Sequence, residues 1–408
     1  MILVPFIFVG LIFLMTTDPT ISFDNTANAF SYKTDKELRK ANFIFTLVNN
    51  PLVSSLATSA VKTALSLHLP VKGMIRATVF DHFCGGETIN QCEQTIAKIY
   101  KHKVGAILDY SVEGAKTEAG FDDTLRELLL TFDKAKGNSA IPFCVFKVTG
   151  IAEMALLEKV QAKERLSDQE VKAFDRVKER IEKICQKAFD FDVPVLIDAE
   201  DSWIQNVIDE IAYTMMQKFN GKKAIVFNTL QLYRADMLDN LKKAHEIANE
   251  QNYFLGFKLV RGAYMEKERE RALKMNYPDP INVSKQATDD LFNSALHFCV
   301  HHLDLISIVC GSHNEYSNRL LCELMAKQGI KHDDARIWFA QLLGMSDNIS
   351  FNLAKEGYNV AKYVPYGPVE AVMPYLLRRA SENTSVAGQS SRELVLIRKE
   401  LGRRKGVN

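Results

Sequence analysis

Eight short apolar segments, separated by long charged stretches of helical period, constrain the fold of this sequence most strongly. They are residues 104–110, 142–148, 193–199, 223–228, 254–260, 304–309, 335–339 and 360–364. Each is short enough for a strand that is buried on both faces, as strands of parallel sheets are. Eight such strands with helical connections predict a (β/α)₈ barrel, although the pattern alone is also compatible with a doubly wound open sheet.

The chain divides into three parts around this pattern. Residues 1–15 are an apolar segment, residues 16–75 are a predicted helical extension, and residues 76–408 are the predicted barrel. In the extension, Thr34 or Asp35 is expected to cap a helix, and the Ala/Ser-rich stretch from Leu52 to Leu69 suits another. Residues 1–15 are short for a membrane span and carry no basic residue. We consider a start-site artefact before Met15, a shallow membrane tether and an atypical signal peptide.

The composition is that of an ordinary globular protein, with 47% hydrophobic and 25% charged residues. A net charge of +1 gives no field for nucleic acid, so no nucleic-acid partner is expected. The seven cysteines are odd in number and form no CxxC motif, which suggests reduced thiols in a cytosolic protein. We therefore expect a cytoplasmic location, with peripheral attachment to the inner face of the membrane as a second option.

Polar residues end nearly every apolar segment, at the rim where barrel enzymes carry their catalytic groups. A purely structural barrel needs no such ring, so we predict an enzyme. The residues at these ends are Asp109, Lys147, Asp198, Asn228, Arg261 with Gly262, His313 with Asn314, Gln341 and Tyr363.

Two lysines, Lys147 and Lys258, lie inside predicted strands, where an unpaired charge is costly to bury. Either could bind an anion, form a Schiff base or make a salt bridge at the rim. Asp198 could hold a lysine or an arginine, bind a substrate amine, or cap the next helix.

A helical segment near the C-terminus contains Arg378, Arg379 and Glu382. Adjacent residues of a helix point about 100° apart, so both arginines could reach one anion if this helix crosses the barrel mouth. A solvated charged face is the alternative.

Nucleotide and metal motifs are missing from the sequence. No GxGxxG follows a predicted strand and no phosphate-binding loop is present, so a Rossmann site is not expected. His313 has no accompanying metal-ligand spacing, so no metal is expected either. Any dinucleotide cofactor would therefore have to bind in the barrel mouth.

Six motifs together carry a family resemblance. They are LIDAE (196–200), FKLVRGAYMEKERERA (257–272), SHN (312–314), LLGMSD (342–347), YVPYGP (363–368) and YLLRRASENTS (375–385). From about residue 75 to 390 the chain resembles the proline dehydrogenase family, and its stand-alone, mitochondrial-type members more than the long bifunctional ones.

The resemblance implies a distorted barrel that binds FAD noncovalently at its strand C-termini, with a final helix over the mouth. It implies oxidation of L-proline to Δ1-pyrroline-5-carboxylate, the first step of proline catabolism. It further implies a quinone as electron acceptor, peripheral membrane contact, and a separate chain for the next oxidation.

The resemblance also assigns roles to individual residues. The proline carboxylate is expected on Lys147, Arg378 and Arg379, with Asp198 supporting them. The pyrrolidine ring is expected between the flavin and three walls, Leu342, Tyr363 and Tyr375. FAD contacts are expected from Asn228, Lys258, Val260, Gly262, Ala263, Tyr264, Lys285, His313, Asn314 and Glu382. Asn228 and Lys258 stand where the bacterial bifunctional enzymes carry Gln and Arg, a departure that looks like the mitochondrial type.

Two rival functions remain at this point. One is an aldolase with Lys147 or Lys258 as a Schiff base. The other is an inactive barrel that serves as a binding or membrane-associated module.

Overall fold

The computed structural model describes residues 21–48, 72–112, 116–385 and 389–406. In these ranges, eight parallel strands pair in chain order, and the last strand pairs with the first to close a barrel. The prediction of a (β/α)₈ barrel is confirmed, and the open sheet is excluded. The strands are β1 (Val104–Tyr110), β2 (Phe143–Lys147), β3 (Val195–Asp198), β4 (Val226–Gln231), β5 (Leu255–Val260), β6 (Ile306–Gly311), β7 (Ile337–Leu342) and β8 (Val360–Tyr366).

Every predicted segment overlaps one strand, and β4 differs most from its prediction. Residues 223–228 were expected to form this strand, but β4 runs from residue 226 to residue 231. The cause is Asn220, whose Oδ1 accepts hydrogen bonds from the backbone N–H groups of Ile225 and Val226 at 2.9 and 2.8 Å. A side chain therefore takes these donors where sheet pairing would otherwise begin.

Helices surround the barrel and extend beyond it at both ends of the chain. The α-helices are α1 (Thr26–Ala29), α2 (Asp35–Val48), α3 (Lys72–Ile75), α4 (Asp81–Phe83), α5 (Ile89–Tyr100), α6 (Glu118–Ala135), α7 (Met154–Gln161), α8 (Asp168–Phe191), α9 (Ser202–Phe219), α10 (Met237–Gln251), α11 (Met265–Met275), α12 (Lys285–His301), α13 (Glu315–Lys327), α14 (Asp347–Lys355), α15 (Met373–Ser385) and α16 (Gln389–Arg404). A π-helical turn spans Arg76–Phe80, and a 3₁₀ turn spans Val148–Gly150.

Helix α2 begins with the predicted cap. The Thr34 Oγ1 accepts a hydrogen bond from the Glu37 backbone N–H at 3.3 Å, and the Glu37 carboxylate accepts one from the Thr34 N–H at 2.8 Å. This reciprocal pair is a capping box. The apolar segment 1–15 and the stretch from Leu52 to Leu69 lie outside the described residues.

Two packed layers position the mouth of the barrel. Inward-facing residues such as Ile107, Phe143 and Phe227 fill the barrel, while outward-facing strand residues pack against the surrounding helices. A further core joins the terminal helices, with Phe45 on α2 and Ile397 on α16 in one apolar cluster that also contains residues of α15. Helices α2 and α16 thus pack together beside α15.

No helix in the described ranges has the length and apolar character needed to cross a membrane.

Candidate active site

A cleft of about 370 Å³ opens at the C-terminal ends of the strands. It brings together every predicted site residue except Asn228 and Glu382. The predicted residues that line it are Lys147, Asp198, Lys258, Val260, Gly262, Ala263, Tyr264, Lys285, His313, Asn314, Leu342, Tyr363, Tyr375, Arg378 and Arg379. The backbone of Glu382 belongs to α15, but its side chain lies outside the described residues.

One aspartate at the end of β3 is held by two lysines and a tyrosine, which we call the Asp198 cluster. The Lys147 Nζ lies 2.6 Å from Asp198 Oδ2, and the Lys258 Nζ forms an ion pair with Asp198 Oδ1. The Lys258 Nζ also donates to the Tyr363 hydroxyl at 2.7 Å, and that hydroxyl lies 3.4 Å from Asp198 Oδ1. Four strands thus contribute one side chain each. Asp198 pairs with lysines in this arrangement and does not cap α9, whose N-cap residue is Asp201.

The charges of this cluster follow from burial and pairing. Burial raises the pKa of the Asp198 carboxyl, but the ammonium groups of Lys147 and Lys258 outweigh burial and lower this pKa to about 2. Burial opposes the charge of Lys147, yet the Asp198 carboxylate raises its pKa above the usual value. Lys147 is therefore a fixed cation and not a free amine, which argues against a Schiff base at this position.

Asp109, at the end of β1, is a further carboxyl group in the cleft. Its Oδ2 accepts a hydrogen bond from the Ser111 hydroxyl at 2.8 Å. Burial raises the pKa of Asp109 and the nearby Asp198 adds to this, while Lys147 offsets part of it. Its strand-end position was noted in the sequence, but no role was assigned to it.

The segment after β5 exposes its backbone to the cleft. Gly262 has a φ of +132°, and a Cβ at this position would lie 2.5 Å from the Tyr233 ring. Only glycine fits both restrictions. The chain from Val260 to Tyr264 therefore approaches the cleft closely.

Asn228 does not reach the cleft, because alternate residues of a strand face opposite sides. Thr229 and Gln231 line the cleft, whereas the Asn228 side chain donates to Asp209 on α9 at 2.8 Å. The Oε1 atom of Gln231 is buried and has no hydrogen-bond partner among the described residues. Gln231 lies three residues beyond the predicted end of β4. The alternation of inward-facing residues, continued from Phe227 through Thr229, identifies it.

His313 follows β6 and lines the cleft. Its Nδ1 shares a hydrogen bond of 2.9 Å with the Ser346 hydroxyl. Burial, with Lys362, Arg379 and Arg261 nearby, lowers the pKa of His313 to about 3. The imidazole is thus neutral at physiological pH.

Arg261 connects helices α12 and α13 with the segment that follows β6. Its guanidinium lies 2.6 Å from Asp289 on α12 and donates to the hydroxyls of Ser312 and Ser317, each at 2.9 Å. Lys285, at the rim of the cleft, shares the same Asp289 carboxylate at 2.6 Å. This network fixes the start of α12 relative to the residues that follow β6.

Helix α15 brings the arginine pair to the mouth, as expected. Arg379 is buried, with its Cζ 5.1 Å from the centre of the Tyr375 ring, and Arg378 lines the same cleft. Arg378 also lines a neighbouring cleft of about 530 Å³, together with Lys147 and Tyr264.

Comparison with known proteins agrees with this geometry. A family model described as proline dehydrogenase matches residues 92–392. Mitochondrial proline dehydrogenase 2 of Arabidopsis thaliana is 32% identical over 374 residues, covering 81% of this chain and 79% of that protein. Mitochondrial proline dehydrogenase 1 of the same plant is 33% identical over 377 residues, covering 82% and 76%.

A similar fold occurs in the crystal structure of proline utilization A (PutA) from Bdellovibrio bacteriovorus inactivated by N-propargylglycine. The TM-score is 0.68 at 18% identity, over 90% of this chain and 36% of that one. This chain therefore spans about a third of the PutA chain, and the likeness concerns the fold.

The prediction of a cytoplasmic location is wrong. The relatives from plants, Dictyostelium discoideum and Homo sapiens are named mitochondrial proteins, which points to mitochondria instead. The prediction rested on the cysteines, which are buried free thiols in the structure. Free thiols argue against an oxidising compartment, but they do not distinguish one reducing compartment from another.

The family model covers most of the barrel, and the Arabidopsis relatives align along four fifths of the sequence. The residues to which the resemblance assigned roles, apart from Asn228 and Glu382, line one cleft. The chain belongs to the proline dehydrogenase family of oxidoreductases and oxidises proline in the first step of proline catabolism.

Proposed function

We propose that this chain transfers a hydride from proline to FAD, which binds noncovalently in the cleft at the C-terminal ends of the strands. The observation that carries the proposal is that one cleft contains both the cationic Asp198 cluster and a buried acceptor without a hydrogen-bond partner among the described residues, the Oε1 atom of Gln231. A buried polar atom of this kind is rare unless a ligand or water completes its hydrogen bonds.

The lining of the cleft fits FAD. A flavin presents N–H and C=O groups along one edge, which suit the Gln231 amide and the Lys258 ammonium. Its pyrophosphate is anionic and suits Lys285 at the rim. Gly262 packs its backbone against the Tyr233 ring, which brings the chain from Val260 to Tyr264 to the edge of the cleft. When bound, FAD supplies the two-electron acceptor that no side chain can provide.

Other predicted contacts keep their proposed roles, with one replacement. Val260, Ala263, Tyr264, His313 and Asn314 line the cleft and are proposed to contact the cofactor. Gln231 takes the place proposed for Asn228, because the Asn228 side chain is bonded to Asp209 on the outer face of β4. Glu382 is still proposed to contact FAD.

Proline is proposed to bind through its carboxylate to Arg378, Arg379 and Lys147. Arginine can bind a carboxylate through two parallel hydrogen bonds, which fixes orientation as well as position. Asp198 keeps Lys147 charged and in place at 2.6 Å. The ring is proposed to lie between Leu342, Tyr363 and Tyr375, all of which line the cleft.

The same cations prepare the amine for reaction. The ring nitrogen must be neutral before its lone pair can help a hydride leave C5. Cations close to the site disfavour the ammonium form of proline and so favour loss of its proton. Loss of hydride from C5 then gives the imine Δ1-pyrroline-5-carboxylate.

A quinone is proposed as the final electron acceptor, with peripheral contact of the protein at a membrane. Electrons must leave the site after each turnover, and a quinone takes up two electrons and two protons. Rapid-mixing measurements with a soluble quinone test this step. The proposal predicts reoxidation faster than by oxygen alone, and an equal rate contradicts it.

Two residues on opposite faces of β4 give a direct test of the cofactor site. Gln231→Ala should weaken FAD binding by about fivefold, since one hydrogen bond is worth roughly 1 kcal/mol. Asn228→Ala should lower stability and leave FAD affinity within about twofold, because its partner is Asp209. Titration of apoprotein with FAD, followed by flavin fluorescence, measures both. Weaker FAD binding in Asn228→Ala than in Gln231→Ala contradicts the proposed site.

A further inference from the structure

A second buried group of charges lies outside the cleft, around Asp347 at the start of α14. The Lys33 Nζ lies 2.7 Å from Asp347 Oδ2, and the Tyr32 hydroxyl donates to the same oxygen at 2.8 Å. The Lys362 Nζ forms an ion pair with Asp347 Oδ1 at 3.0 Å. The side chains of Asp347 and Lys362 are both fully buried. We call these four residues the Asp347 cluster.

This cluster and its neighbour Glu393 connect the described segment before α2 and helix α16 to the barrel. Tyr32 and Lys33 precede α2 in the N-terminal extension, and Lys362 belongs to β8. From α16 near the C-terminus, the Glu393 carboxylate accepts a hydrogen bond from the Ser346 backbone N–H at 3.0 Å. Segments more than 300 residues apart in sequence therefore meet at one point.

That point is the loop of residues 343–346, which connects β7 to α14. Gly344 and Ser346 both have left-handed backbones, with φ values of +78° and +50°. This conformation is uncommon for a serine and persists only when neighbouring contacts hold it. The Lys362 Nζ provides such contacts by donating to the carbonyls of Leu342, at 3.3 Å, and Met345.

The loop in turn sets two side chains of the cleft. Leu342 ends β7 and pairs with Tyr363 on β8, so its position depends on where the loop leaves the strand. The Ser346 hydroxyl bonds the His313 ring at 2.9 Å. Lys362 and Tyr363 are consecutive, so one residue of β8 holds the loop while the next faces the cleft.

We infer that the Asp347 cluster positions the wall of the proline site formed by Leu342 and Tyr363, and that Tyr32 and Lys33 of the N-terminal segment are positioning residues that act on this wall through Asp347. Buried ion pairs are weak evidence for stability, because apolar residues of similar volume often serve as well. They do impose one geometry, since each charge must meet its partner. The inference rests on the proposed role of Leu342 as a wall of the proline site.

The test compares proline with trans-4-hydroxyproline, a substrate that needs more room at the wall. The quantity measured is kcat/KM for proline divided by kcat/KM for trans-4-hydroxyproline. This ratio does not depend on the fraction of active enzyme, so a loss of folded protein alone leaves it unchanged. A loosened wall should lower it.

Lys33→Met should lower the ratio by about tenfold, the scale of one poorly placed contact. Tyr32→Phe removes only one hydrogen bond from Asp347 and should lower it less, which provides a second variant if Lys33→Met folds poorly. Lys40→Met is the matched control, because it removes a lysine–carboxylate pair with Asp81 from the same N-terminal region. It should leave the ratio unchanged.

Leu342→Ala separates the inference from the function on which it rests. If Leu342→Ala leaves both this ratio and KM for proline unchanged, the proposed role of Leu342 as a wall of the proline site is wrong. If Leu342→Ala lowers the ratio but Lys33→Met and Tyr32→Phe do not, the wall stands and the positioning role of the Asp347 cluster is overturned. A similar fall in Lys40→Met also contradicts the positioning role.

Discussion

The Asp198 and Asp347 clusters have the same composition, one aspartate with two lysines and a tyrosine hydroxyl, yet they differ in access to water. The Lys147 side chain is 26% exposed in the cleft, whereas that of Lys362 is 0% exposed. A cation that faces the cleft can bind a substrate anion while it keeps its ion pair, whereas a fully buried cation can bind only protein groups. Access therefore distinguishes a binding cluster from a positioning cluster, and composition does not.

The largest effect is expected from a substitution that disrupts the fully buried Asp347 cluster. Asp347→Asn leaves the ammonium groups of Lys33 and Lys362 buried without their counter-charge, which should cost about 3–5 kcal/mol of the free energy of unfolding. Asp198→Asn should cost less, because water in the cleft reaches Lys147. Denaturant unfolding measures both. Equal losses of unfolding free energy in the two variants would contradict the distinction between the buried Asp347 cluster and the solvent-accessible Asp198 cluster.

A second experiment disrupts proline binding in the cleft and leaves the Asp347 cluster intact. Arg379→Ala should raise KM for proline by about 10²–10³-fold, since it removes a charged hydrogen-bonding partner of the carboxylate. FAD should stay bound. Arg398→Ala, on the exposed side of α16, is the control and should change neither quantity. Loss of FAD from Arg379→Ala would mean that this arginine holds the cofactor.

A pH experiment sharpens the comparison at the sealed cluster. Burial, with Asp347 nearby, raises the pKa of Glu393 to about 7. A raised carboxyl pKa means that the folded state binds the proton more tightly, so stability should fall as pH rises from about 4.5 to 7, by on the order of 2–3 kcal/mol. Glu393→Gln should lose this dependence. Unfolding at pH 5 and pH 7.5 tests it, and an unchanged slope in the variant counts against the assignment.

The smallest effect concerns the open site of the wild-type protein. Tyr363 is held in the cleft by its hydrogen bond with Lys258 and should crowd a 4-hydroxyl group on the ring. We expect kcat/KM for trans-4-hydroxyproline to be about tenfold or more below that for proline. Comparable values for the two substrates refute this role of Tyr363.

The sequence predicts the open site better than the sealed cluster, for a physical reason. Strands buried on both faces leave continuous apolar runs, and the residues that end them meet at one rim. Asp198 and Lys147 could be found in this way. The late start of β4 coincides with the hydrogen bonds that Asn220 accepts from Ile225 and Val226. Gln231 was missed for a separate reason, because the predicted segment ended at residue 228 and the strand continues to residue 231.

No comparable signal marks the Asp347 cluster. Lys33 precedes the barrel in an extension, and Lys362 reads as one lysine within the last apolar run. Their contact with Asp347 depends on how both chain ends pack beside the loop after β7, which periodicity does not encode. Such a cluster becomes visible only in three dimensions.

The central claim is that proline reduces a flavin in this cleft. The most direct test is the visible spectrum of the FAD-loaded protein, recorded without oxygen or another acceptor before and after addition of proline. The account predicts flavin bands that bleach when proline is added. Flavin bands that persist with proline present, or a protein that takes up no FAD, would contradict it.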